Sequence, residues 1–272
     1  MISLDRREAL FAALFTPLAT ASLSSASASA AEPSSKPASS GGGGGGGTHV
    51  AMLVYPRMTA LDLIGPQYMF ASLTGARVHL VAKTLDPVTS DTGVTITPTT
   101  TFADTPRDLA VLFTPGGTTG TLAAAKDEET RAFMADRGSR ARYVTSVCTG
   151  SLILGAAGLL DGYRATSHWA ARDILTEYGA IPVDARVVKD RNRITGAGVT
   201  AGLDFGLTML AEMRDETYAQ AVQLMCEYDP DPPFQAGSLH SAPADVKQMV
   251  QAIVAPFQEQ ARALAKTLHT AG

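Results

Sequence analysis

Short runs of consecutive apolar residues, each ending at a turn, constrain the fold of this chain more than any other feature. They occupy residues 49–55, 109–113 and 143–147. Strands that are buried on both faces of a parallel sheet have this pattern, whereas strands with one solvated face alternate apolar and polar residues. The runs therefore favour an α/β fold built on a mostly parallel sheet.

Segments with helical spacing of apolar residues separate these runs. Helices are predicted over residues 61–73, 127–139, 151–157, 169–178, 200–211, 216–228 and 243–266. Further strands are predicted over residues 77–82, 186–189 and 194–195, with short strands or a hairpin over the Thr-rich residues 88–102. The alternation predicts a doubly wound sheet. No linker interrupts it, so residues 48–272 are predicted to form one domain.

The first 47 residues differ in composition from the rest of the chain. Residues 1–31 contain the adjacent arginines Arg6 and Arg7, a moderately apolar run and an Ala28-Ser29-Ala30 cleavage pattern. These features are typical of a twin-arginine export signal and predict a periplasmic or exported protein. The alternative is a cytoplasmic protein with a disordered N-terminal extension. Residues 32–47 end in seven consecutive glycines and predict a flexible tether.

The composition argues against several classes of function. The formal net charge is −4 and no Lys/Arg cluster occurs, so we expect no nucleic-acid partner. No run of 18 apolar residues is present, so we expect no membrane span. The five histidines lack metal-ligand spacing, and the chain has no glycine-rich phosphate loop. We therefore expect no metal, and the sequence does not favour kinase or dinucleotide chemistry.

One of the two cysteines directly follows a predicted buried strand. Cys148 ends the strand at residues 143–147, and small residues then open a helix. This order presents a side chain at the carboxyl end of the sheet, as a nucleophile elbow does. The helix N-terminus is expected to lower the pKa of the thiol, and the Thr149 amide to donate to a developing anion. The alternative is a structural cysteine in the core, which is also our interpretation of Cys226.

Three other segments carry candidate site residues. Gly116 and Gly117 follow a neighbouring strand, and they either face the same crevice with their amides or form an ordinary turn. Asp62 interrupts an apolar run, where it serves either as an acid beside Cys148 or as a helix N-cap. His168 lies twenty residues after Cys148 and is either a site residue or a structural polar residue.

Together these motifs resemble the ThiJ/PfpI superfamily, and within it the isonitrile hydratases. The similarity extends over residues 49–266 and is carried by residues 61–66, 115–117, 141–152, 155–160, 165–169 and 200–205. The resemblance implies a flavodoxin-like three-layer sandwich with a mostly parallel central sheet and a cysteine at the nucleophile elbow. It also implies a homodimer that uses no cofactor.

Carried over to this sequence, the resemblance makes Cys148 the nucleophile and Asp62 and Thr149 its catalytic partners. Gly116, Gly117 and His168 are predicted to line the oxyanion or substrate pocket. The implied activity is hydration of a small isonitrile to an N-substituted formamide through a Cys148 thioimidate. Proteases of the superfamily carry a histidine where Thr149 stands, which does not favour peptidase activity. Two alternatives remain: a thiol-dependent stress enzyme that acts on reactive carbonyls, and a non-catalytic small-ligand-binding domain.

Overall fold

The computed structural model describes residues 47–270, so the predicted export signal and the predicted tether up to residue 46 lie outside the described residues. In chain order the strands are β1 (Thr48–Leu53), β2 (Ala76–Ala82), β3 (Val88–Thr89), β4 (Thr95–Ile96), β5 (Thr100–Thr101), β6 (Val111–Thr114), β7 (Tyr143–Val147), β8 (Arg164–Ala165), β9 (Ile181–Pro182), β10 (Val187–Asp190) and β11 (Arg193–Gly196). Seven of these strands form one sheet in the order β10-β11-β7-β6-β1-β2-β5. Its neighbouring pairs are parallel except β10 with β11, as predicted for a mostly parallel sheet.

Helices follow most of the strands of this sheet. They are α1 (Ala60–Ala71), α2 (Thr119–Lys126), α3 (Glu128–Gly138), α4 (Gly150–Ala156), α5 (Ala201–Met213), α6 (Glu216–Met225) and α7 (Ala244–Thr270), with a 3₁₀ helix over Arg172–Tyr178. Within residues 47–270, none of the helices combines the length and the apolar character needed to cross a bilayer.

The strand order places helices on both faces of the sheet. The chain crosses from β1 to β2 in one direction, and from β6 through β7 to β11 in the opposite direction. Right-handed crossovers in opposite directions put α1 on one face and α2, α3 and α4 on the other. In agreement, α1 packs against α5 and α5 against α6, whereas α2 packs against α4 and α7 against the 3₁₀ helix. The result is the flavodoxin-like three-layer sandwich that the resemblance implied.

The continuous apolar runs are explained by burial on both faces of the sheet. Val50, Ala51 and Met52, which are successive residues of β1, are all fully buried. One helical layer is joined to the sheet by three aromatic rings, whose centroids lie 5.6 to 6.1 Å apart: Phe70 of α1, Phe113 of β6 and Phe205 of α5. Aromatic rings at these distances stabilise a core beyond the area that they bury.

The Thr-rich segment forms short strands, as predicted: β3 pairs antiparallel with β4, and β5 joins the main sheet beside β2. Other elements differ from the prediction. Helix α2 was not predicted because its sequence contains Gly120 and two threonines and lacks a long apolar stripe. Gly120 is needed there for another reason: a Cβ at this position would meet the carbonyl oxygen of Arg57 at 2.5 Å. The two-residue strands β8 and β9 were also missed.

The prediction that Cys226 packs in the core is wrong. Helix α6 ends at Met225, so Cys226 lies at its C-terminal cap and is only partly buried. The neighbouring Leu224 is 81% exposed. The apolar face that the sequence suggested therefore ends one turn before this cysteine.

The sheet has one point at which the direction of the crossovers reverses, and that point lies between β1 and β6. Open α/β sheets bind ligands in the crevice outside the carboxyl ends of the strands at such a point. The segments after β1, β6 and β7 meet there, and they carry the candidate site residues.

Candidate active site

Cys148 forms the elbow that the sequence predicted. It is the first residue after β7, and its backbone has a φ of 54°, a value that residues other than glycine seldom adopt. The strained conformation is held by the Cys148 N–H, which donates to the carbonyl oxygens of Gly196 and Ala197 at 3.1 and 2.6 Å. Gly150 completes the turn, because a Cβ there would lie 2.4 Å from the carbonyl oxygen of Thr114.

Three segments of the chain converge on one point beside this elbow. A Cβ placed on Gly116 would lie 2.7 Å from Asp62 Oδ2, 2.7 Å from the Thr149 nitrogen and 2.8 Å from Cys148 Cβ. No side chain fits at this position, so Gly116 allows the close approach of the other three residues. The structure thus brings together Asp62, Cys148 and Thr149, which the sequence placed in separate motifs.

Asp62 lies in the first turn of α1 and is fully buried. Its Oδ2 accepts a hydrogen bond from the Gly116 N–H at 2.9 Å, whereas the buried Oδ1 has no hydrogen-bond partner among the described residues. The N-cap interpretation is therefore wrong, since the cap position belongs to Thr59 and the carboxyl group points to another segment.

Burial also makes Asp62 an unusual acid. The pKa of the carboxyl group is raised to about 7, chiefly by burial and to a smaller extent by the charge of Asp91. Interactions with the Cys148 thiol and the Gly116 N–H lower this pKa but do not cancel the effect of burial. Asp62 therefore gains and loses a proton near neutral pH, as a general acid–base group must.

The prediction that the elbow lowers the pKa of the thiol is wrong. Burial raises the pKa of Cys148 well above its ordinary value, and the charge of the nearby Asp62 also raises it. The N–H and hydroxyl of Thr149 lower the pKa, but only in part. The seven residues of α4 do not outweigh the loss of solvent around a side chain that is 5% exposed. At neutral pH the resting cysteine is a thiol, so its reaction requires a base.

The hydroxyl of Thr149 is held by hydrogen bonds to the loop after β6. It donates to the Gly117 carbonyl oxygen at 2.6 Å and accepts from the Gly117 N–H at 3.0 Å. The Thr121 hydroxyl lies 2.9 Å away, and Tyr55 Oη lies 3.1 Å beyond Thr121. Tyr55 and Thr121 were not predicted as site residues.

The two glycines lie in the site, but their amides have partners. Gly116 donates to Asp62 and Gly117 donates to Thr149, so both amides orient site side chains. The amide that acts on the Cys148 sulfur is that of Thr149, whose hydrogen bond lowers the pKa of the thiol. Thr149 is therefore the candidate donor to a developing anion.

The ring of His168 packs against Gly198, since a Cβ on that glycine would lie 3.1 Å from the His168 Cδ2, and the ring has its own hydrogen-bond partner. Its Nδ1 accepts from the Ala170 N–H at 3.2 Å, so the neutral ring carries its hydrogen on Nε2. Burial lowers the pKa of His168, which favours this neutral form. Within residues 47–270 no hydrogen bond joins His168 to Cys148. The adjacent Ser167 donates to the Cys148 carbonyl oxygen at 3.0 Å.

A cavity of about 900 Å³ opens at the carboxyl ends of β1 and β2. Tyr55, Arg57, Asp91 and Phe102 contribute to its wall, which within the described part of the chain does not include Cys148. The Arg57 carbonyl oxygen lies 2.7 Å from the position of a Cβ on Gly117, so the backbone of Arg57 packs directly against the site loop. Because Cys148 is 5% exposed, a group that reaches its sulfur must be slender.

Comparisons with known proteins show the family of the chain. The model of the DJ-1/PfpI family matches residues 48–212, which include Asp62, Gly116, Cys148 and Thr149. An isonitrile hydratase from Pseudomonas putida is 51% identical over 207 residues, covering 76% of this chain and 90% of that protein.

Solved structures show the same fold. A crystal structure of a THiJ/PfpI family protein from Pseudomonas syringae has a TM-score of 0.80 and 68% sequence identity, and the match covers 81% of this chain and 91% of that one. Drosophila melanogaster DJ-1beta, at a TM-score of 0.61 and 21% identity over 66% of this chain and 98% of that one, shares the fold alone.

Proposed function

Because the chain belongs to the DJ-1/PfpI family, we propose that it hydrates a small isonitrile to an N-substituted formamide, with Cys148 as the nucleophile. The observation that carries this proposal is the 51% identity to an isonitrile hydratase along 90% of that enzyme. The geometry supports it, since a buried thiol lies beside a carboxyl group that titrates near neutral pH. The terminal carbon of an isonitrile is also slender enough for a thiol that is 5% exposed.

In the first step, ionised Asp62 takes the proton of the Cys148 thiol. A sulfur electron pair then forms a bond to the terminal carbon of the isonitrile, and one carbon–nitrogen π pair moves onto nitrogen. The lone pair that remains on carbon takes the proton back from Asp62. The product is a thioimidate, R–N=CH–S–Cys148, which contains every atom of the thiol and the isonitrile.

In the second step, water adds to the thioimidate carbon. Asp62 removes a proton from the water as the oxygen–carbon bond forms, and it passes that proton to nitrogen. The carbon–sulfur bond then breaks, sulfur leaves with the electron pair, and the hydroxyl proton returns to sulfur as the carbonyl forms. General acid–base catalysis of this kind contributes roughly 10²–10⁴-fold. The Thr149 N–H and hydroxyl stabilise sulfur whenever it carries negative charge.

The proposal is tested by incubating the purified full chain with cyclohexyl isocyanide and measuring N-cyclohexylformamide. We expect turnover by the wild type and no turnover by Cys148→Ala. Cys226→Ala is the matched control, because it removes the other free cysteine away from the site. Full turnover by Cys148→Ala contradicts the proposal. Conversion of methylglyoxal to lactate, without formamide, identifies the reactive-carbonyl alternative.

We also propose that the protein is a homodimer. Two side chains beside Asp62 support this: Leu61 and Ile64 on α1 are 48% and 46% exposed. Residues three apart on a helix are neighbours on its surface, and contiguous exposed apolar residues mark sites of protein–protein contact. Sedimentation equilibrium is expected to give twice the mass of the chain, and Ile64→Glu to shift the protein towards the monomer. A wild type that sediments as a monomer contradicts the proposal.

A further inference from the structure

The Thr149 hydroxyl has more hydrogen-bonding neighbours than its single hydrogen can serve. A hydroxyl group carries one donor hydrogen and two acceptor lone pairs. The groups around Thr149 Oγ1 are the Gly117 carbonyl oxygen at 2.6 Å, the Gly117 nitrogen at 3.0 Å and Thr121 Oγ1 at 2.9 Å. Thr149 is 4% exposed and Thr121 is fully buried, so bulk solvent does not alter this count.

The chemistry of these neighbours fixes the direction of each bond. The Gly117 N–H is only a donor, so it occupies one lone pair of Thr149. The Gly117 carbonyl oxygen is only an acceptor, so it takes the Thr149 hydrogen. Thr121 must therefore donate its own hydrogen to the second lone pair of Thr149. With both lone pairs filled, Thr149 can form any further hydrogen bond only by redirecting its hydrogen.

We propose that Thr121 is a positioning residue that, by donating to Thr149, allows Thr149 to act on the Cys148 sulfur only as a hydrogen-bond donor. The inference rests on the proposed role of Cys148 as the nucleophile. When the thiolate forms, the Thr149 hydrogen turns from the Gly117 carbonyl to sulfur and stabilises the negative charge. Without Thr121, the vacant lone pair of Thr149 accepts the S–H of the thiol instead, which stabilises the unreactive form.

Tyr55 extends the same hydrogen-bonded chain. The Tyr55 hydroxyl has one hydrogen, and it donates that hydrogen to the Pro115 carbonyl oxygen at 2.8 Å, because this oxygen can only accept. Tyr55 Oη lies 3.1 Å from Thr121 Oγ1, so it competes with Thr149 as an acceptor of the Thr121 hydrogen. The Thr149 oxygen is the nearer acceptor, at 2.9 Å. Removing the Tyr55 hydroxyl therefore should not raise the pKa of the thiol.

The test measures the reactivity of Cys148 without any isonitrile. All variants carry Cys226→Ala, and alkylation by iodoacetamide is followed by intact mass spectrometry from about pH 6 to pH 10. Thr121→Val keeps the shape of the side chain and removes the hydroxyl. We expect alkylation at pH 8 to slow about tenfold, which corresponds to a rise of about one unit in the pKa of the thiol. Thr121→Ser, which keeps the hydroxyl, is expected to stay within about twofold of wild type.

Thr145→Val is the matched control. Thr145 is also fully buried, and it donates to the Leu112 carbonyl oxygen at 3.0 Å rather than to Thr149. Its loss is expected to lower the melting temperature but to leave the alkylation rate at pH 8 unchanged.

The proposal is overturned if Thr121→Val keeps the wild-type alkylation rate, if Thr121→Ser is slowed as much as Thr121→Val, or if Thr145→Val is slowed equally. Should Thr121→Val not fold, Thr121→Ala decides, since an unchanged alkylation rate in that variant also overturns the proposal. If Thr121→Val slows the alkylation of Cys148 but the wild type hydrates no isonitrile, the positioning role is supported and only the proposed substrate is contradicted.

Discussion

The Gly116 N–H donates to Oδ2 of Asp62 across 2.9 Å, in a space that leaves no room for a side chain on Gly116. The hydrogen bond fixes the carboxyl group beside the elbow, and the absent Cβ lets Cys148 and Thr149 approach it. One glycine therefore determines the spacing of all three proposed catalytic residues.

We predict that Gly116→Ala abolishes most of the activity. The new Cβ would lie less than 3 Å from an atom of each of the three residues and would force them apart. A displacement of about 1 Å lowers catalysis about 100-fold. Formamide production gives kcat/KM, and thermal melting reports on folding. The matched control is Gly65→Ala on α1, the helix that carries Asp62. A Cβ at Gly65 meets Leu203 at an ordinary 3.5 Å and should leave activity unchanged.

A second prediction concerns the dependence of stability on pH. The pKa of Asp62 is raised to about 7 in the folded protein from an ordinary value of 3.8. The folded state therefore binds more protons than the unfolded state between these values, and wild type loses stability as pH rises through this window. Asp62→Asn lacks this loss, so its stability relative to wild type should rise from pH 4 to pH 7 by about 4 kcal/mol and then level off.

Urea unfolding at several pH values measures this difference. Asp86→Asn is the control, since it removes an exposed carboxyl group on the surface. If the difference in the free energy of unfolding between Asp62→Asn and wild type stays constant from pH 4 to pH 8, burial does not disfavour the ionised carboxylate.

A third prediction separates this site from a Cys–His arrangement. The Nδ1 of His168 is occupied by the Ala170 N–H, and burial lowers the pKa of the ring. His168→Gln should therefore change kcat/KM by less than about threefold, because no step of the proposed mechanism uses the imidazole. A loss of about 100-fold, comparable with that expected for a general base, would place His168 in the mechanism.

Much of this site could be predicted from the sequence, because it is encoded locally. A buried strand that runs directly into Cys148 predicts the elbow, and β7 has the predicted bounds, Tyr143–Val147. The first strand begins at Thr48, where the glycine run ends. The isolated Asp62 within an apolar run likewise indicated a carboxyl group whose burial needs a reason.

The properties that were missed depend on contacts between distant segments. The pKa of Cys148 is raised by burial and by the charge of Asp62. Asp62 is 86 residues away in the chain, and no local pattern pairs it with Cys148. Thr121 reaches Thr149 across 28 residues, through a helix that was not predicted. The one available signal was the composition of residues 114–121, which hold four threonines and three glycines beside a candidate site loop.

A fourth prediction concerns the N-terminus, which lies outside the described residues. We propose that residues 1–31 direct export and that cleavage occurs at the Ala28-Ser29-Ala30 pattern. Mass spectrometry of the protein from a periplasmic fraction should then find an N-terminus at residue 31 or 32. Replacing Arg6 and Arg7 by lysine should keep the uncleaved chain in the cytoplasm. A wild-type chain that keeps its first 31 residues and stays in the cytoplasm contradicts export.

The central claim is that the isonitrile carbon becomes bonded to the sulfur of Cys148. It is tested most directly by mixing the full chain with cyclohexyl isocyanide, quenching during turnover and measuring the intact mass. We predict a species heavier than the free chain by one isonitrile, located on the peptide that contains Cys148, which disappears as formamide accumulates. Formation of formamide with no such adduct, at an undiminished rate in Cys148→Ala, would contradict the account.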